Sequence, residues 1–483
     1  MYTGAVPLWK GFHYHIHQEA AIEWMVEREK DELSPGGFLC DEMGLGKTME
    51  ILGFLKSANP HAIEHTLILM PMALVSQWCE VAEKSGFNVF NVDKKTKKWD
   101  SNGTVKMNRS FIYITHYDRA LRSPKLVTKR FYDRVFFDEA HKLVNASSKL
   151  YEAMEEIQAD NKWIVTATPI VNGLADAKSL FLLQGMPEGE VSSKANVLRD
   201  LASKKVLYRG VDQLRQILPN LPLKERVKFH SLPFTMDDEA EFYRAMQGAI
   251  VSRWRALEED GNPHIMEMFR LLLRLRQISV HPQVYISARK REYPKYARQD
   301  FIADSTKFLA LKTLISEQMN KNHRWIVFCH FHDEMELLKE SLRRDTRIRQ
   351  IQIYSGKQTS EERDKIVAKS KEEFTESQGQ ADVLLLQLHA GSVGLNLQHF
   401  DRIVFLSPWW TAALMDQAVG RAVRIGQTET VEVHHFHLQE EKTMNIDAKM
   451  MAKVAEKRDL CNQFLGAAAS PIHPELDTAE DPI

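Results

Sequence analysis

Residues 41–48 read DEMGLGKT, and the end of that stretch has the residue types of a phosphate cradle. Gly44 and Gly46 supply φ freedom and let an anion approach the backbone closely. Lys47 can carry positive charge to the β- and γ-phosphates of a nucleotide, and the Thr48 hydroxyl can hold magnesium. The start departs from G-x-x-x-x-G-K-[ST], because Asp41 stands where that pattern has glycine. A lone G-K-T is a weak signal, since it also suits an ordinary helix start. The second piece is DEAH at 138–141. Asp138 can hold magnesium, and Glu139 can orient and deprotonate an attacking water. An isolated pair of acids is best read as a solvated turn. With a G-K-T loop upstream, at a spacing suited to the same sheet, hydrolysis becomes the better reading. TATP (166–169) is a further loop of the same set.

These loops need a scaffold that lines them along one edge. GGFLC (36–40), TLILM (66–70), FIYI (111–114), RVFFD (134–138) and KWIVT (162–166) are apolar runs of strand type. Helical patterns at 18–30, 47–57 and 74–84 lie among them. This alternation predicts a parallel sheet covered on both faces. Such sheets bind ligands beyond the carboxyl ends of their strands, which is where DEMGLGKT and DEAH fall. The helix after Gly46 would aim backbone N–H groups and its macrodipole at the anion. The pattern returns at WIVFC (325–329), IQIY (351–354), DVLLL (382–386), RIVFL (402–406) and VEVHHF (431–436), with helices near 333–343, 360–374 and 411–419.

The segment from about 187 to 300 differs. DDEAEFYRAMQGAIVSRWRALEED and IMEMFRLLLRLRQIS are long amphipathic stretches, broken by LPNLP, GNPH and HPQ. The end, GAAASPIHPELDTAEDPI, lacks apolar periodicity and is expected to be disordered. The predicted organisation is α/β, with a first lobe at 1–187, helical insertions at 188–300, a second lobe at 301–463 and a tail at 464–483.

Composition agrees with that size. A chain of 483 residues exceeds one ordinary domain, and 44% hydrophobic with 27% charged residues suits a globular protein with real cores. Net charge −1 speaks against an evenly basic nucleic-acid coat protein but leaves room for a local basic groove. Cys40, Cys79, Cys329 and Cys461 are far apart and form no C-x-x-C pair. That argues against a zinc finger and for a reducing compartment. No secretory segment and no apolar run long enough to cross a bilayer is present, so no membrane association is expected. HYHIH (13–17) and HHFH (434–437) could each place alternate histidines on one strand face, but no carboxylate or cysteine completes either set. No metal site is expected there.

Taken together, DEMGLGKT, DEAH and TATP resemble the superfamily-two helicase motor core. LHAGSVGLNLQ (388–398) and DQAVGRAVRIGQT (416–428) match its C-terminal half. GRAVRIGQT with DEMGLGKT resembles the Swi/Snf family of DNA translocases in particular, whose phosphate loop begins with Asp. LRLRQISVHPQ (273–283) is similar to that family's stretch between the lobes, and the resemblance runs from about residue 10 to about 460.

The resemblance implies two RecA-like parallel-sheet lobes with ATP and magnesium between them and double-stranded DNA across both. By it, Asp41, Glu42, Met43, Gly44, Leu45, Gly46, Lys47 and Thr48 bind the nucleotide, and Thr48 and Asp138 hold the metal. Gln18, in HQEAAIEWMVERE (17–29), pairs with the adenine edge. Gln417, Arg421 and Arg424 of Q-x-x-G-R-x-x-R come from the second lobe. The two arginines, three apart, would face one way on a helical turn and would join Lys47, Asp138 and Glu139 in catalysis by reaching the γ-phosphate. Read without the resemblance, Gln18 opens an amphipathic helix and the arginines form a surface ion-pair face. PMALVSQW (71–78) and ITHYDRA (114–120) match segments that meet the nucleic-acid backbone, with Ser76 and Thr115 as phosphate contacts or, equally, helix caps. Gly394, Leu395 and Asn396 belong to a loop that couples DNA to the ATP cleft. KKTKK (94–98) and RLLLRLR (270–276) read as solvated faces, and ARKREYPKYAR (288–298) is a further candidate to touch DNA.

Several positions depart from the family: Ala167 for glycine, Val423 for histidine, His389 for a basic residue, Ser392 for glycine, and IVFCHF (326–331) for a stretch with Ser-Gln-Trp. None removes a catalytic group, though His389 weakens one expected DNA contact. Viral members of the family carry Cys-His-Phe-like variants, so a viral factory or cytoplasm stands beside the nucleus as the expected location. The expected function is an ATP-dependent double-stranded DNA translocase, a monomeric motor that remodels nucleosomes, other DNA-bound proteins or repair intermediates. The alternatives are a viral DNA-dependent nucleoside triphosphatase acting in transcription, a strand-separating DNA or RNA helicase, and a dead motor used as a scaffold.

Overall fold

The computed structural model describes residues 4–31, 34–58, 62–92, 110–211, 213–214, 225–259, 265–374, 379–391, 395–424, 427–440 and 445–468. The chain divides into two compact units, 1–221 with 457–483, and 222–456.

The first unit is built on seven strands: β1 (Gly36–Leu39), β2 (Glu64–Met70), β3 (Asn88–Asn91), β4 (Ser110–His116), β5 (Tyr132–Asp138), β6 (Ala159–Val165) and β7 (Val206–Leu207). Their order is β3-β4-β2-β5-β6-β1-β7, and every neighbouring pair is parallel. Alternate residues feed two cores. Phe38, Leu67, Leu69, Val135, Phe137 and Ile164 point to one face. Leu39, Ile68, Met70, Phe136, Trp163 and Val165 point to the other. Burial on both faces is why these strands read as unbroken apolar runs. Leu39 lies opposite Val165, and Val165 opposite Asp138, so β1, β6 and β5 end level. The loops beginning at Cys40, Thr166 and Glu139 therefore leave one edge of one sheet.

Among the described residues the second unit has six strands: β8 (Glu225–Pro233), β9 (His323–Cys329), β10 (Ile348–Tyr354), β11 (Ala381–Gln387), β12 (Arg402–Phe405) and β13 (Val431–Gln439). Their order is β10-β11-β9-β12-β13-β8, again parallel throughout. The helices Asp237–Glu259 and Ile265–Val280 fall where amphipathic periodicity put them. Two strands, β7 and β8, lie in the stretch read as helical. β7 has two residues, too few for a period. β8 is an edge strand whose residues alternate between exposed and half-buried, so it never forms an apolar run.

The expected tail also needs correction at its start. Phe464 and Leu465 end the helix Ile446–Leu465 and are buried, with the Phe464 ring 6.2 Å from that of Phe181. Residues 469–483, KKTKK, Ser392 and Gly394 lie outside the described residues. Among the described residues no helix is long and apolar enough to cross a membrane, and all four cysteines are free.

Candidate functional site

The loop after β1 turns on its glycines: Gly44 and Gly46 have φ of 86° and 92°. A side chain at Gly46 would also collide with Gln18, because a Cβ there would sit 2.4 Å from its Nε2. Lys47 opens the helix Lys47–Ser57, with Thr48 in the first turn. The Lys47 ammonium donates to the carbonyl oxygens of Asp41 at 2.5 Å and Glu42 at 3.2 Å, so the loop curls around its own cation.

Asp41 takes no part in that curl through its side chain. It is fully buried against Arg209, whose Nε lies 3.0 and 3.2 Å from the two carboxylate oxygens. Arg209 Nη2 also pairs with Asp41 and donates to Glu50 at 3.2 Å, while Nη1 donates to the His17 carbonyl. Burial first, then the Asp41 charge, push the Glu50 carboxyl up to about 8. Glu42 is tied to the same segment as Arg209. Its carboxylate accepts from the Tyr208 hydroxyl at 3.1 Å and the Val211 amide at 2.9 Å. Backbone bonds from Cys40 to Leu207 (2.8 Å) and from Glu42 to Arg209 (3.2 Å) complete the strap. Sequence reasoning missed Arg209. The available signal was an arginine two residues after an apolar β pair, a charge that needs a partner once buried.

Gln18 meets the loop as well. Its Oε1 accepts from the His15 amide at 3.1 Å and its Nε2 donates to the Leu45 carbonyl at 3.0 Å. His17 Nε2 reaches the same carbonyl at 3.0 Å. Burial pushes His17 down to about 4, so it is the neutral ring that donates.

On the neighbouring strand, β5 ends at Asp138. Glu139 has φ of 53°, the only positive value for a non-glycine among the described residues. A left-handed residue with a Cβ is strained by roughly 1–2 kcal/mol, and such strain gathers at functional turns. Asp138 is held by three partners. Trp78 Nε1 and the Glu139 amide each donate to its carboxylate at 3.0 Å, and the Tyr117 hydroxyl donates to its carbonyl at 2.7 Å. Burial and the Glu139 charge push the Asp138 carboxyl up to about 7, while the Lys47 charge works the other way. The loop lysine and the strand-end acid therefore share one electrostatic neighbourhood. Glu139 Oε2 lies 3.3 Å from His141 Nδ1, which is 3.5 Å from Thr166 Oγ1. Thr166 Oγ1 accepts from the Thr168 amide at 3.2 Å. DEAH and TATP are thus in contact through His141, another residue the sequence reading gave no role.

An oriented carboxylate and a helix-start hydroxyl are oxygen donors of the kind magnesium takes beside substrate phosphates. Among the described residues no cluster of three or more His, Cys, Asp or Glu is placed to hold a metal. The histidine clusters are instead built into packing. His15 precedes the helix Ile16–Arg28 and His17 lies within it, so the three residues of HYHIH share no strand face. His434 is buried with His230 Nε2 2.9 Å away.

In the second unit, Gln417 is buried on the helix Ala412–Val419. The helix ends at Val419, and Gly420 keeps right-handed helical angles (φ −61°, ψ −2°) as the chain turns on toward Arg421. Arg421 is only 6% exposed, and its carbonyl accepts from the Leu397 amide at 3.0 Å. Arg424 is half-buried, with Nε 2.6 Å from the Gly420 carbonyl. Gln427, of the GQT ending, is buried and donates to the carbonyls of Gln398 at 2.7 Å and Phe400 at 3.1 Å. It ties residues 398–400 to the turn that follows Arg424.

Of the two candidate phosphate contacts, Ser76 is exposed, whereas Thr115 is fully buried in β4 and out of reach of a polyanion. Neither is a helix cap; His116 caps the following turn by accepting from the Arg119 amide. ARKREYPKYAR is largely neutralised by acids: Arg289 pairs with Glu292 at 2.9 Å, Lys290 with Asp300 at 2.8 Å and Arg291 with Asp333 at 2.6 Å. His389 packs edge-on to Trp409 at 4.8 Å between centroids.

Known proteins resemble this chain over most of its length. Residues 17–284 match the SNF2-related domain and residues 306–426 the helicase conserved C-terminal domain. A probable global transactivator of Orgyia pseudotsugata multicapsid polyhedrosis virus is 26% identical over 94% of this chain and 91% of its own. The TATA-binding protein-associated factor MOT1 of Saccharomyces cerevisiae is 26% identical over 95% of this chain, which spans 28% of its length. A human SWI/SNF-related regulator of chromatin, subfamily A member 1, is 25% identical over 88% of this chain, which spans 41% of it. The SWI2/SNF2 ATPase core of Sulfolobus solfataricus, solved with dsDNA, is 21% identical, covers 96% of this chain and 94% of that one, and has a TM-score of 0.40. With residues 17–284, more than half of its length, matched by one family, the chain belongs to the SNF2-related family of helicase-like ATPases.

Proposed function

We propose that this ATPase is driven by double-stranded DNA and translocates along it, remodelling DNA-bound proteins or repair intermediates. The observation that carries the ATPase chemistry is the level ending of β1, β5 and β6, which sets DEMGLGKT, DEAH and TATP along one edge. In this reading the loop amides and Lys47 hold the phosphates, and Gln18, fixed to the loop at Leu45, meets adenine. Thr48 and Asp138 would hold magnesium, which would neutralise phosphate charge. Glu139, turned off the strand, orients the water and accepts its proton. In this reading Gln417 also meets the nucleotide, and Arg421 and Arg424 act in catalysis. The DNA reading rests on GRAVRIGQT and LRLRQISVHPQ and on relatives named for chromatin regulation and DNA repair. Contacts would be mainly to phosphates, hence salt-sensitive and largely sequence-independent.

Turnover should rise more with duplex DNA than with single-stranded DNA or RNA. Equal or greater stimulation by RNA would move the protein to the strand-separating helicase reading, which a strand-displacement assay then tests. A second reading, a viral nucleoside triphosphatase in transcription, is favoured by one observation: the viral transactivator matches this chain over 91% of its own length. It predicts that viral transcription falls when an ATPase-dead variant replaces the protein.

Two substitutions separate binding from chemistry. Lys47→Ala should weaken both ATP affinity and turnover, because its charge meets the phosphates in the ground state. Glu139→Gln should bind ATP normally and lose roughly 10²–10⁴ in turnover, since only general-base help is removed. Near-normal hydrolysis by Glu139→Gln would show that another group activates the water.

A further inference from the structure

We infer that Arg209 is the positioning residue of the phosphate loop: its guanidinium sets the start of the loop, the helix that follows it and the helix that carries Gln18. Each of those three segments receives a bond from it, through Asp41, Glu50 and the His17 carbonyl respectively. Arginine suits this task, because its planar fork offers five donors in fixed directions. A lysine's three donors radiate from a single rotatable nitrogen and cannot span partners spread around a planar fork.

The glycine missing from the loop fits this account. Asp41 does not have a positive φ, since Glu139 alone among described non-glycines does. The backbone at position 41 therefore needs no glycine, and a carboxylate can be used there as a handle. Arg209, Asp41 and Glu50 side chains are all 0% exposed. Stability alone explains such a cluster poorly, because desolvating the charges offsets much of what their pairing returns. Geometry explains it better. A loop that cradles phosphates by backbone amides loses affinity when those amides drift, and a three-way bridge behind the loop restrains them from the side away from the ligand. Glu42, bonded to Tyr208 and Val211, adds a second fastening on the same segment.

The inference rests on DEMGLGKT being the nucleotide site, so the test carries a control for that reading. In the full chain, ATP affinity, KM and kcat, and the thermal midpoint without nucleotide are measured for four variants. Lys47→Ala reports on the site itself. Arg209→Lys keeps the charge and loses the fork; it should fold, with KM for ATP raised roughly tenfold and kcat at saturating ATP within about threefold of wild type. Arg209→Met strands the Asp41 carboxylate and is expected to lower the thermal midpoint. Asp41→Gly with Arg209→Met removes both charges and restores the general loop pattern. It should recover most of the thermal midpoint while ATP affinity stays roughly tenfold weak. If Arg209→Lys has the KM of wild type, or the double variant binds ATP like wild type, Arg209 is a core ion pair and the inference is overturned. If the double variant does not fold, the KM and kcat of Arg209→Lys decide alone. If instead Lys47→Ala binds ATP like wild type, it is the reading of the loop that fails.

Discussion

Arg424→Ala is expected to lower DNA-stimulated turnover by roughly 10³–10⁵-fold, the range typical of an arginine finger, while ATP affinity changes little. During phosphoryl transfer, negative charge spreads over the γ-phosphate oxygens. A guanidinium placed there stabilises the transition state more than the ground state, which is the condition for raising kcat. In the proposed reading ground-state binding is supplied by Lys47, Thr48, Asp138 and the loop, which belong to the first unit, as Arg424 does to the second. Losing Arg424 should therefore leave binding largely intact. The structure distinguishes the two arginines of the motif. Arg421 is buried, with its backbone bonded to Leu397, so Arg421→Ala should also lower the thermal midpoint. Arg424 is half-buried, so its removal should spare stability. Arg424→Lys should rescue poorly, because lysine lacks the planar fork. The measurements are turnover with and without duplex DNA, beside nucleotide affinity. Hydrolysis by Arg424→Ala at close to the wild-type DNA-stimulated rate would require another source of positive charge.

The second unit should lose its fold between about pH 6.5 and pH 4, earlier than carboxylate titration alone would bring. Burial pushes His281, His399 and His434 each down from 6.5 to about 4. A base depressed in the folded state stabilises the fold fully above its unfolded value. That contribution is lost as pH falls toward the folded value. The three shifts have the same direction, so their losses reinforce one another as pH falls. The neutral state is also required by geometry. His281 Nδ1 accepts from the Gln283 amide at 3.0 Å and caps the helix Pro282–Glu292, which a protonated nitrogen cannot do. His434 faces His230, Lys228 and Arg402, with Glu432 opposing. His399 faces Arg324 and Lys371, with Asp382 opposing. Thermal unfolding of the full chain, followed by circular dichroism from pH 7.5 to 4, should show the midpoint falling steeply below pH 6.5. His281→Asn, a cap that does not titrate, should make the fall shallower. A midpoint that stays flat from pH 7 to pH 5 would show that these rings do not remain neutral.

Sequence alone determined the parts whose information is local. Apolar runs such as TLILM and RVFFD became β2 and β5, because strands buried on both faces must be apolar at nearly every position. The helices after Gly46 and around 237–280 followed from periodicity. The placement of Lys47 at a helix start and of Asp138 and Glu139 at a strand end was legible, because such motifs fix residue types beside strand ends. Tertiary structure decided what depends on distant partners. Arg209 meets Asp41 across 168 residues, a spacing no local pattern signals. Thr115 lies in a segment of the expected kind, yet β2 and β3 flank β4 and bury it. β8 was hidden because an edge strand has one neighbour and needs no apolar run. Phe464 and Leu465, at the start of the expected tail, are buried in the core that includes Phe181. In each case the deciding interaction joins residues far apart in the chain, and only the folded backbone sets which of them meet.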